Sequence, residues 1–321
     1  MKKSIIIVGG DPNSINSEII FKSWKKIKKN IKNRIFLISN YKLIKAQFKK
    51  LNYPINIKIV ENLNEISRDG KLKIINLDLK FKNPFKVPKK SASNFVISSL
   101  NLAHKLALNE NVTGIINCAI SKNLLKKKNI GVTEFFSSKC KIKKNSEVML
   151  IQNSKFSVSP ITTHLDVKQI SKNIKKDVII SKVITLNNWF KKTFKKKPRV
   201  GILGLNPHNA ELRKNSEEIT KIIPAINKLK NLKININGPL VADTVFVDEY
   251  KSYDVIFGMY HDQILPAFKT IFKFDAINAT LGLNYLRVSP DHGTAKYLIG
   301  KNKANIKSFL NCIKFINRFG K

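Results

Sequence analysis

Cysteine is scarce in this sequence of 321 residues. The three cysteines, Cys118, Cys140 and Cys312, are an odd number, and no two of them form a CxxC pair. This pattern argues against a disulfide framework and against a zinc site built from paired cysteines. We therefore expect reduced thiols and a cytoplasmic protein.

Long apolar runs are also missing. No stretch approaches the roughly 18 consecutive apolar residues that a membrane-spanning helix needs. The N-terminal segment has a basic tip, but its apolar run, Ser4–Val8, is too short for a signal peptide and is soon followed by Asp11. The sequence thus predicts a soluble protein with no membrane partner.

Acidic residues are few, with 21 Asp and Glu against 60 Lys and Arg, for a formal net charge of +39. Such a charge raises the possibility of a nucleic-acid partner. However, only six of the 60 basic residues are Arg, and phosphate and base recognition favours the arginine fork. The lysines are also spread over most of the chain, so we do not predict nucleic acid as a partner. The charge would still attract anionic substrates.

The length predicts two domains, since domains usually contain about 100–200 residues. Apolar strand patterns alternate with helical patterns along the chain, which predicts α/β domains with mainly parallel sheets flanked by helices. The clearest predicted strands are Ser4–Val8, Arg34–Ser39, Val112–Ala119, Arg199–Leu205, Lys233–Ile236 and Val255–Met259. We expect a discontinuous first domain, 1–120 plus 265–321, and a second domain, 121–264.

No GxGxxG follows any predicted strand, and Gly201 and Gly204 are spaced wrongly for one. The standard dinucleotide fingerprint is therefore absent, although this does not exclude NAD. The turn Asp291-His292-Gly293-Thr294-Ala295 could hold adenosine through backbone groups and a histidine face. On its residues alone, the same turn is equally well explained as a capped helix start.

Histidine is rare, but three of the five histidines occupy similar places. His164, His208 and His261 each follow an apolar strand, in a loop that also contains Pro, Asn or Asp. In open α/β sheets, ligands bind beyond the carboxyl ends of the strands. Three imidazoles there could bind Zn²⁺ or a similar ion with positions open for substrate. They could also be three unrelated loop histidines, and we assign no function to His104.

Lys269, Asn278 and Arg287 follow one another at intervals of nine residues, with apolar positions between them. Because Arg is scarce here, Arg287 beside an apolar stretch predicts a clamp for a carboxylate or phosphate. The alternative is a surface salt bridge.

Longer motifs connect these positions to a known family. They are GDPNSINSEI at 10–19, ISK at 120–122, GVTEFF at 131–136, TTHL at 162–165, GLNPHNAE at 204–211, NGPLVADTVF at 237–246, and the stretch 253–301. With these motifs over nearly its whole length, the chain resembles the 4-hydroxythreonine-4-phosphate dehydrogenase family of pyridoxal phosphate biosynthesis.

The resemblance implies a two-domain fold like that of isocitrate and isopropylmalate dehydrogenases, with the active site in the interdomain cleft. It also implies a homodimer with active sites at the interface. One divalent ion per site would be bound by His164 and His208 of one subunit and His261 of the partner subunit. Zinc is the expected metal, and Mg, Co, Ni or Mn are possible.

The resemblance further implies NAD as cofactor and a small phosphorylated amino acid, 4-phosphohydroxy-L-threonine, as substrate. The oxidised product would decarboxylate to 3-amino-2-oxopropyl phosphate. Thr133, Lys269, Asn278 and Arg287 match substrate-contacting positions, and Asp291–Ala295 resembles the cofactor loop of the isocitrate dehydrogenase superfamily.

The chain departs from the family pattern at several positions. Val132 replaces a usual His, so one substrate hydrogen bond or proton carrier is missing. Other usual Gly or Pro positions are occupied by Ser14, Asn16, Ser17, Ala119 and Ala210. Two alternatives follow: a related dehydrogenase acting on phosphorylated threonate or erythronate or on a dihydrodiol, and a basic polyanion-binding protein on a retired enzyme scaffold.

Overall fold

The computed structural model describes residues 3–65, 69–108, 111–125, 131–142 and 146–320. The chain divides into two compact units. The first unit comprises Met1–Cys140 and Asn284–Lys321, and the second comprises Lys141–Leu283.

The N-terminal part of the first unit alternates strands with helices. Its elements are β1 (Ser4–Val8), α1 (Asn16–Lys26), α2 (Lys29–Lys32), β2 (Ile35–Ser39), α3 (Tyr41–Lys50), β3 (Ile57–Val60), β4 (Leu72–Asn76), α4 (Lys89–Ala107), β5 (Val112–Asn117) and α5 (Val132–Lys139).

The second unit follows, and the chain then returns to the first. The second unit contains β6 (Val148–Gln152), β7 (Ser157–Thr162), α6 (Ile170–Asn173), α7 (Lys176–Phe194), β8 (Val200–Leu203), α8 (Ile223–Asn231), β9 (Ile236–Leu240), α9 (Ala242–Val245), β10 (Val255–Tyr260), α10 (His261–Phe272) and β11 (Ile277–Leu281). The returning segment contains β12 (Arg287–Pro290) and α11 (Lys307–Phe319).

The strands of the first unit form a parallel array in the order β3-β4-β2-β1-β5-β12. All five residues of β1 and of β2 are buried. Continuous burial of this kind is typical of parallel strands covered on both faces by helices. The α/β class predicted from the alternating patterns is therefore confirmed.

The strands of the second unit run in the order β11-β6-β7-β10-β8-β9. β7, β10, β8 and β9 are parallel to one another, whereas β6 pairs antiparallel with β7 and β11. Because parallel strands end on the same side, the loops after β7, β10 and β8 leave from one edge of this sheet.

The units change at Cys140 and Leu283, whereas the sequence placed the changes near residues 120 and 264. Side-chain packing explains the difference. In α5, Phe136 packs edge-on against Tyr285, which keeps α5 in the first unit. In α10, Phe268 is fully buried and stacks on Phe156 in the core of the second unit.

The loop after β1 depends on a glycine. Gly10 has φ +76°, and a Cβ there would lie 2.6 Å from both Ala119 O and Asn16 Nδ2. Asn16 donates from that nitrogen to Gly9 O at 3.0 Å and to Ala119 O at 2.9 Å. The asparagine thus joins the ends of β1 and β5 at a position where the resemblance implies a glycine.

Gly10→Ala should destabilise the protein by about 3 kcal/mol, because a left-handed alanine costs about 1–2 kcal/mol and the clash adds a similar amount. Gly70→Ala is the matched control, since Gly70 has φ +74° and no atom of the described residues lies within 4 Å of its Cβ position. We expect the control to lose only about 1 kcal/mol in urea unfolding. Equal losses in the two variants would contradict the role of the clash.

None of the helices in the part of the chain that the structure describes has both the length and the apolar composition required to cross a bilayer.

Candidate active site

The three strand-end histidines lie at one edge of the sheet of the second unit. His164 follows β7, His261 follows β10 directly, and His208 follows β8. β10 lies between β7 and β8 and pairs in parallel with both. The loops that carry the three predicted metal ligands are therefore neighbours.

Two of these imidazoles lie side by side within one chain. The ring centroids of His164 and His261 are 5.9 Å apart, and the ring planes are tilted by 39°. A tetrahedral metal about 2.0–2.1 Å from each nitrogen would place two ligating rings about 5 Å apart. The pair is thus close to the separation that a shared ion requires. Among the described residues, no group of three His, Cys, Asp or Glu side chains meets at metal-binding distance in one chain.

Asp262 fixes the orientation of the His261 ring. Its Oδ1 lies 2.5 Å from His261 Nδ1. A carboxylate at Nδ1 favours the tautomer in which Nδ1 carries the proton, so that Nε2 is left as the metal-binding nitrogen. This arrangement is common among histidines that bind metals.

His208 lies on an exposed left-handed turn that spans Pro207–Leu212. Residues 208–211 have φ between 48° and 57°, and Ala210, with φ 52°, stands where the resemblance implies a glycine. Left-handed backbone costs a non-glycine residue about 1–2 kcal/mol, so neighbouring contacts must hold this turn. One such contact is the hydrogen bond from Asn209 Nδ2 to Pro239 O, at 3.0 Å.

In the first unit, Arg287 is buried beside Thr133. Its side chain is 3% exposed, Nε donates to Asn117 Oδ1 at 2.6 Å, and a terminal nitrogen lies 3.4 Å from Thr133 Oγ1. Burial lowers the pKa of Arg287 to about 10, and nearby acidic side chains including Glu134 oppose this shift. Arg287 therefore remains a cation at neutral pH, and it is not the surface residue that the alternative interpretation required.

The other predicted substrate residues lie in the second unit. Lys269 is an exposed residue of α10, and Asn278 is a half-buried residue of β11. Asn278 Oδ1 is buried and has no hydrogen-bond partner among the described residues. Val132, which replaces the family histidine, is the first residue of α5 and immediately precedes Thr133.

The predicted cofactor turn follows β12 in the first unit. Thr294 O accepts a hydrogen bond from Ile15 N at 3.2 Å, so the turn is joined to the loop after β1. Asp291 N donates to Ser308 Oγ at 2.8 Å. Ala295 has φ 42°, and the turn leads into a 3-10 turn at Lys296–Leu298, so it is not the start of an α-helix.

A cleft of about 620 Å³ lies past the end of this turn, where Lys296, Ile299 and Gly300 line it. That volume suits a small-molecule or cofactor site. Cationic and amide side chains line much of it, together with Tyr53 and Phe85; the cationic and amide residues are Asn13, Lys50, Asn52, Asn83, Lys86, Lys296 and Asn302. The donor set fits a phosphorylated, aromatic ligand such as a dinucleotide.

Some polar residues that bond to the predicted site residues were not among the candidates from the sequence. Asn117, at the end of β5, could have been found by the same strand-end rule that singled out the histidines.

His104 pairs with Tyr285, with Nδ1 2.8 Å from the hydroxyl oxygen, and burial together with Lys139 lowers the pKa of His104. The contact with Tyr285 gives His104 a packing role.

Comparison with known proteins agrees with this architecture. The family model of the pyridoxal phosphate biosynthetic protein PdxA matches residues 31–316. A 4-hydroxythreonine-4-phosphate dehydrogenase from Aquifex aeolicus is 34% identical over 320 residues, covering 98% of each chain.

Solved structures show the same fold. The 4-hydroxythreonine-4-phosphate dehydrogenase of Klebsiella pneumoniae superposes with a TM-score of 0.85 at 24% identity, covering 99% of this chain and 100% of that one. The isocitrate dehydrogenase of Methylococcus capsulatus superposes with a TM-score of 0.50 at 11% identity, covering 98% and 85%. The isocitrate dehydrogenase-like fold expected from the motifs is thus confirmed. The chain belongs to the PdxA family of pyridoxal phosphate biosynthetic proteins.

Proposed function

We propose that this protein is an NAD-dependent, divalent-metal-dependent dehydrogenase of pyridoxal phosphate biosynthesis. It oxidises the secondary hydroxyl of 4-phosphohydroxy-L-threonine, and the resulting 2-amino-3-oxo acid loses CO₂ to give 3-amino-2-oxopropyl phosphate. The observation that carries the proposal is the His164–His261 pair at the sheet edge, in a chain of this family. The relative from Aquifex aeolicus, which matches this chain over 98% of its length, bears the name of that dehydrogenase.

His164, His208 and His261 would hold the ion, with zinc as the expected metal and Mg, Co, Ni or Mn as possible substitutes. A divalent ion supplies Lewis-acid chemistry at the substrate hydroxyl, and NAD supplies the hydride acceptor. Asp262 orients the His261 ring. The 5.9 Å separation within one chain favours His164 and His261 from the same subunit, which differs from the arrangement that the resemblance implied.

Arg287 is the residue best suited to hold an anionic group of the substrate. It is buried and charged, and its orientation is fixed by Asn117. A preorganised guanidinium binds phosphate or carboxylate with two parallel hydrogen bonds. Thr133 adds a hydroxyl beside it. The resemblance also implies substrate contacts for Lys269 and Asn278.

NAD would bind in the first unit, along residues 291–295 and the cleft that begins at Lys296. Backbone groups of that turn and the lysine and asparagine side chains of the cleft would contact the adenosine and phosphates. A Cβ at Gly293 would meet no atom of the described part of the chain within 4 Å, so a ligand can approach the backbone closely there.

A homodimer is part of this proposal. Leu165 and Val167 in the loop after His164 are 36% and 81% exposed, and Leu212 in the turn after His208 is 54% exposed. Large apolar side chains left exposed on neighbouring loops are typical of a protein–protein interface. A second copy of the chain would cover them and enclose the histidines.

The direct test is NADH formation by the purified protein with divalent metal and 4-phosphohydroxy-L-threonine. We expect turnover that stops when a chelator removes the metal and returns when zinc is added. A folded protein that turns over none of the phosphorylated substrates, with or without metal, would refute the proposed dehydrogenase activity.

Val132 favours a second candidate, a dehydrogenase for phosphorylated threonate or erythronate. The lost histidine removes one polar contact, and losing a hydrogen bond changes substrate preference.

Val132→His should therefore raise kcat/KM for 4-phosphohydroxy-L-threonine about tenfold, the effect of one hydrogen bond worth about 1.4 kcal/mol. Ser138→His, on the same helix, is the control. Wild-type turnover restricted to the threonate or erythronate would establish the second candidate.

A further inference from the structure

Three polar side chains that do not belong to the predicted ligand set connect the loops of the three histidines. Thr162 ends β7, Gln263 lies in the first turn of α10, and Glu218 begins a π-helical turn at Glu218–Ile222. Each makes hydrogen bonds to the backbone where β10 or β8 ends.

Gln263 connects the end of β10 to the end of β8. Its Oε1 accepts from Met259 N at 2.6 Å, and its Nε2 donates to Gly204 O at 2.7 Å. Because Gln263 lies two residues after His261, the same short segment carries a histidine and holds the neighbouring loop.

Glu218 holds the start of the loop that leads to His208. It is fully buried, and its Oε1 accepts from Leu205 N at 2.7 Å and from Asn206 N at 2.9 Å. Its Oε2 accepts from Asn206 Nδ2 at 3.0 Å. Burial acts to raise the pKa of Glu218, but the hydrogen bonds from Asn206 and Leu205 outweigh it and the pKa is lowered. The side chain is therefore a carboxylate at neutral pH.

Thr162 joins the remaining loop to the same network. Its hydroxyl donates to Met259 O at 2.7 Å, which connects β7, two residues before His164, to β10. The backbone of Met259 is thus bound through its oxygen by Thr162 and through its nitrogen by Gln263.

We propose that Thr162, Gln263 and Glu218 are positioning residues that hold the three histidine loops in the arrangement needed to bind the metal. This inference rests on the proposed function, since it concerns the metal of that site. The left-handed turn of His208 is strained, so it needs fixed backbone on its N-terminal side, and the Glu218 carboxylate provides it. Residues that orient metal ligands typically contribute about 10–100-fold to metal affinity.

The test is the zinc affinity of the full-length protein, measured by competition with a chromophoric chelator. Glu218→Gln replaces one acceptor oxygen with an NH₂ group, which must then face a donor, either the backbone N–H groups of Leu205 and Asn206 or the side-chain amide of Asn206. Gln263→Leu removes both bonds of Gln263 at similar volume. We expect each to weaken zinc binding about 10–100-fold. The visible spectrum of the Co²⁺-loaded protein should change as well, because it reports the ligand geometry.

Asp254→Asn is the matched control for Glu218→Gln. Asp254 Oδ2 accepts from Arg199 N at 2.9 Å and Oδ1 accepts from Lys196 at 2.8 Å, just before β10 and β8 begin. The control thus replaces a carboxylate that accepts a backbone N–H by an amide, as Glu218→Gln does, but at the N-terminal ends of β10 and β8. It should lower the unfolding temperature and leave zinc affinity within about twofold, since its contacts do not reach the histidine loops.

Gln263→Leu keeps the test decisive if Glu218→Gln does not fold. Wild-type zinc affinity and an unchanged Co²⁺ spectrum in the folded variants would overturn this inference alone, as would an equal loss in Asp254→Asn. Wild-type protein that binds no zinc would overturn the proposed metal site, and this inference with it.

Discussion

Alanine at His164 or at His261 should lower metal-dependent turnover at least about 1,000-fold, because loss of a metal ligand removes several kcal/mol of transition-state stabilisation. Mixing the two variant proteins, with subunit exchange, should not restore activity. The two rings lie 5.9 Å apart in one chain, and if both bind the same ion in the proposed dimer, every site in a mixed dimer would lack one of them.

The mixing experiment has a different expected result if each site combines histidines from both subunits. If His261 came from the other subunit, half of the molecules in the mixture would be mixed dimers with one intact site, and about a quarter of wild-type activity would return. Recovery of that size would show that the site is completed across the dimer. Absorbance of NADH and the zinc content of each protein are sufficient measurements.

Arg287→Lys should lower kcat/KM for the phosphorylated substrate about 100–1,000-fold. Lysine keeps the charge but cannot bond Asn117 and an anion in the same fixed plane, and truncating a buried, hydrogen-bonded charge costs about 2–5 kcal/mol. Arg199→Lys is the matched control. Arg199 is about half exposed and its Nε lies 3.6 Å from Asp254, so this exchange should leave kcat/KM unchanged.

The residual activity of Arg287→Lys should fall as pH rises. Burial already lowers the pKa of Arg287 to about 10, and burial of lysine at the same position lowers its pKa as well. A cation with a lowered pKa is charged below that pKa and loses its charge above it. The wild-type profile, with arginine, should stay flat over pH 7–9. Parallel profiles for the two proteins would contradict the buried-cation role.

Local sequence patterns predicted many of the candidate site residues. His164, His208 and His261 were selected because each follows an apolar strand, and the sheet then placed their loops side by side since β7, β10 and β8 are parallel neighbours. Arg287 was selected by its rarity beside an apolar stretch, and it proved to be buried. In these cases the sequence carried the information because strand direction and burial follow from patterns only a few residues long.

Other features could not be read from local pattern. The helix that begins at His261 contains Pro266 and was not predicted, and the strand expected at Lys233–Ile236 lies instead at Ile236–Leu240. Helix and strand ends depend on tertiary hydrogen bonds as well as on propensity.

The amino-acid sequence by itself determined the α/β class, the family and the identity of the metal-binding and anion-binding candidates, since these depend on periodicity and on short motifs. Only the tertiary structure decided which polar groups form hydrogen bonds to these candidates or to the loops that carry them. Asn117 and Arg287 are 170 residues apart, and Glu218 bonds a turn 12 and 13 residues away. Such pairs arise when strands and helices pack, and no sequence period specifies them.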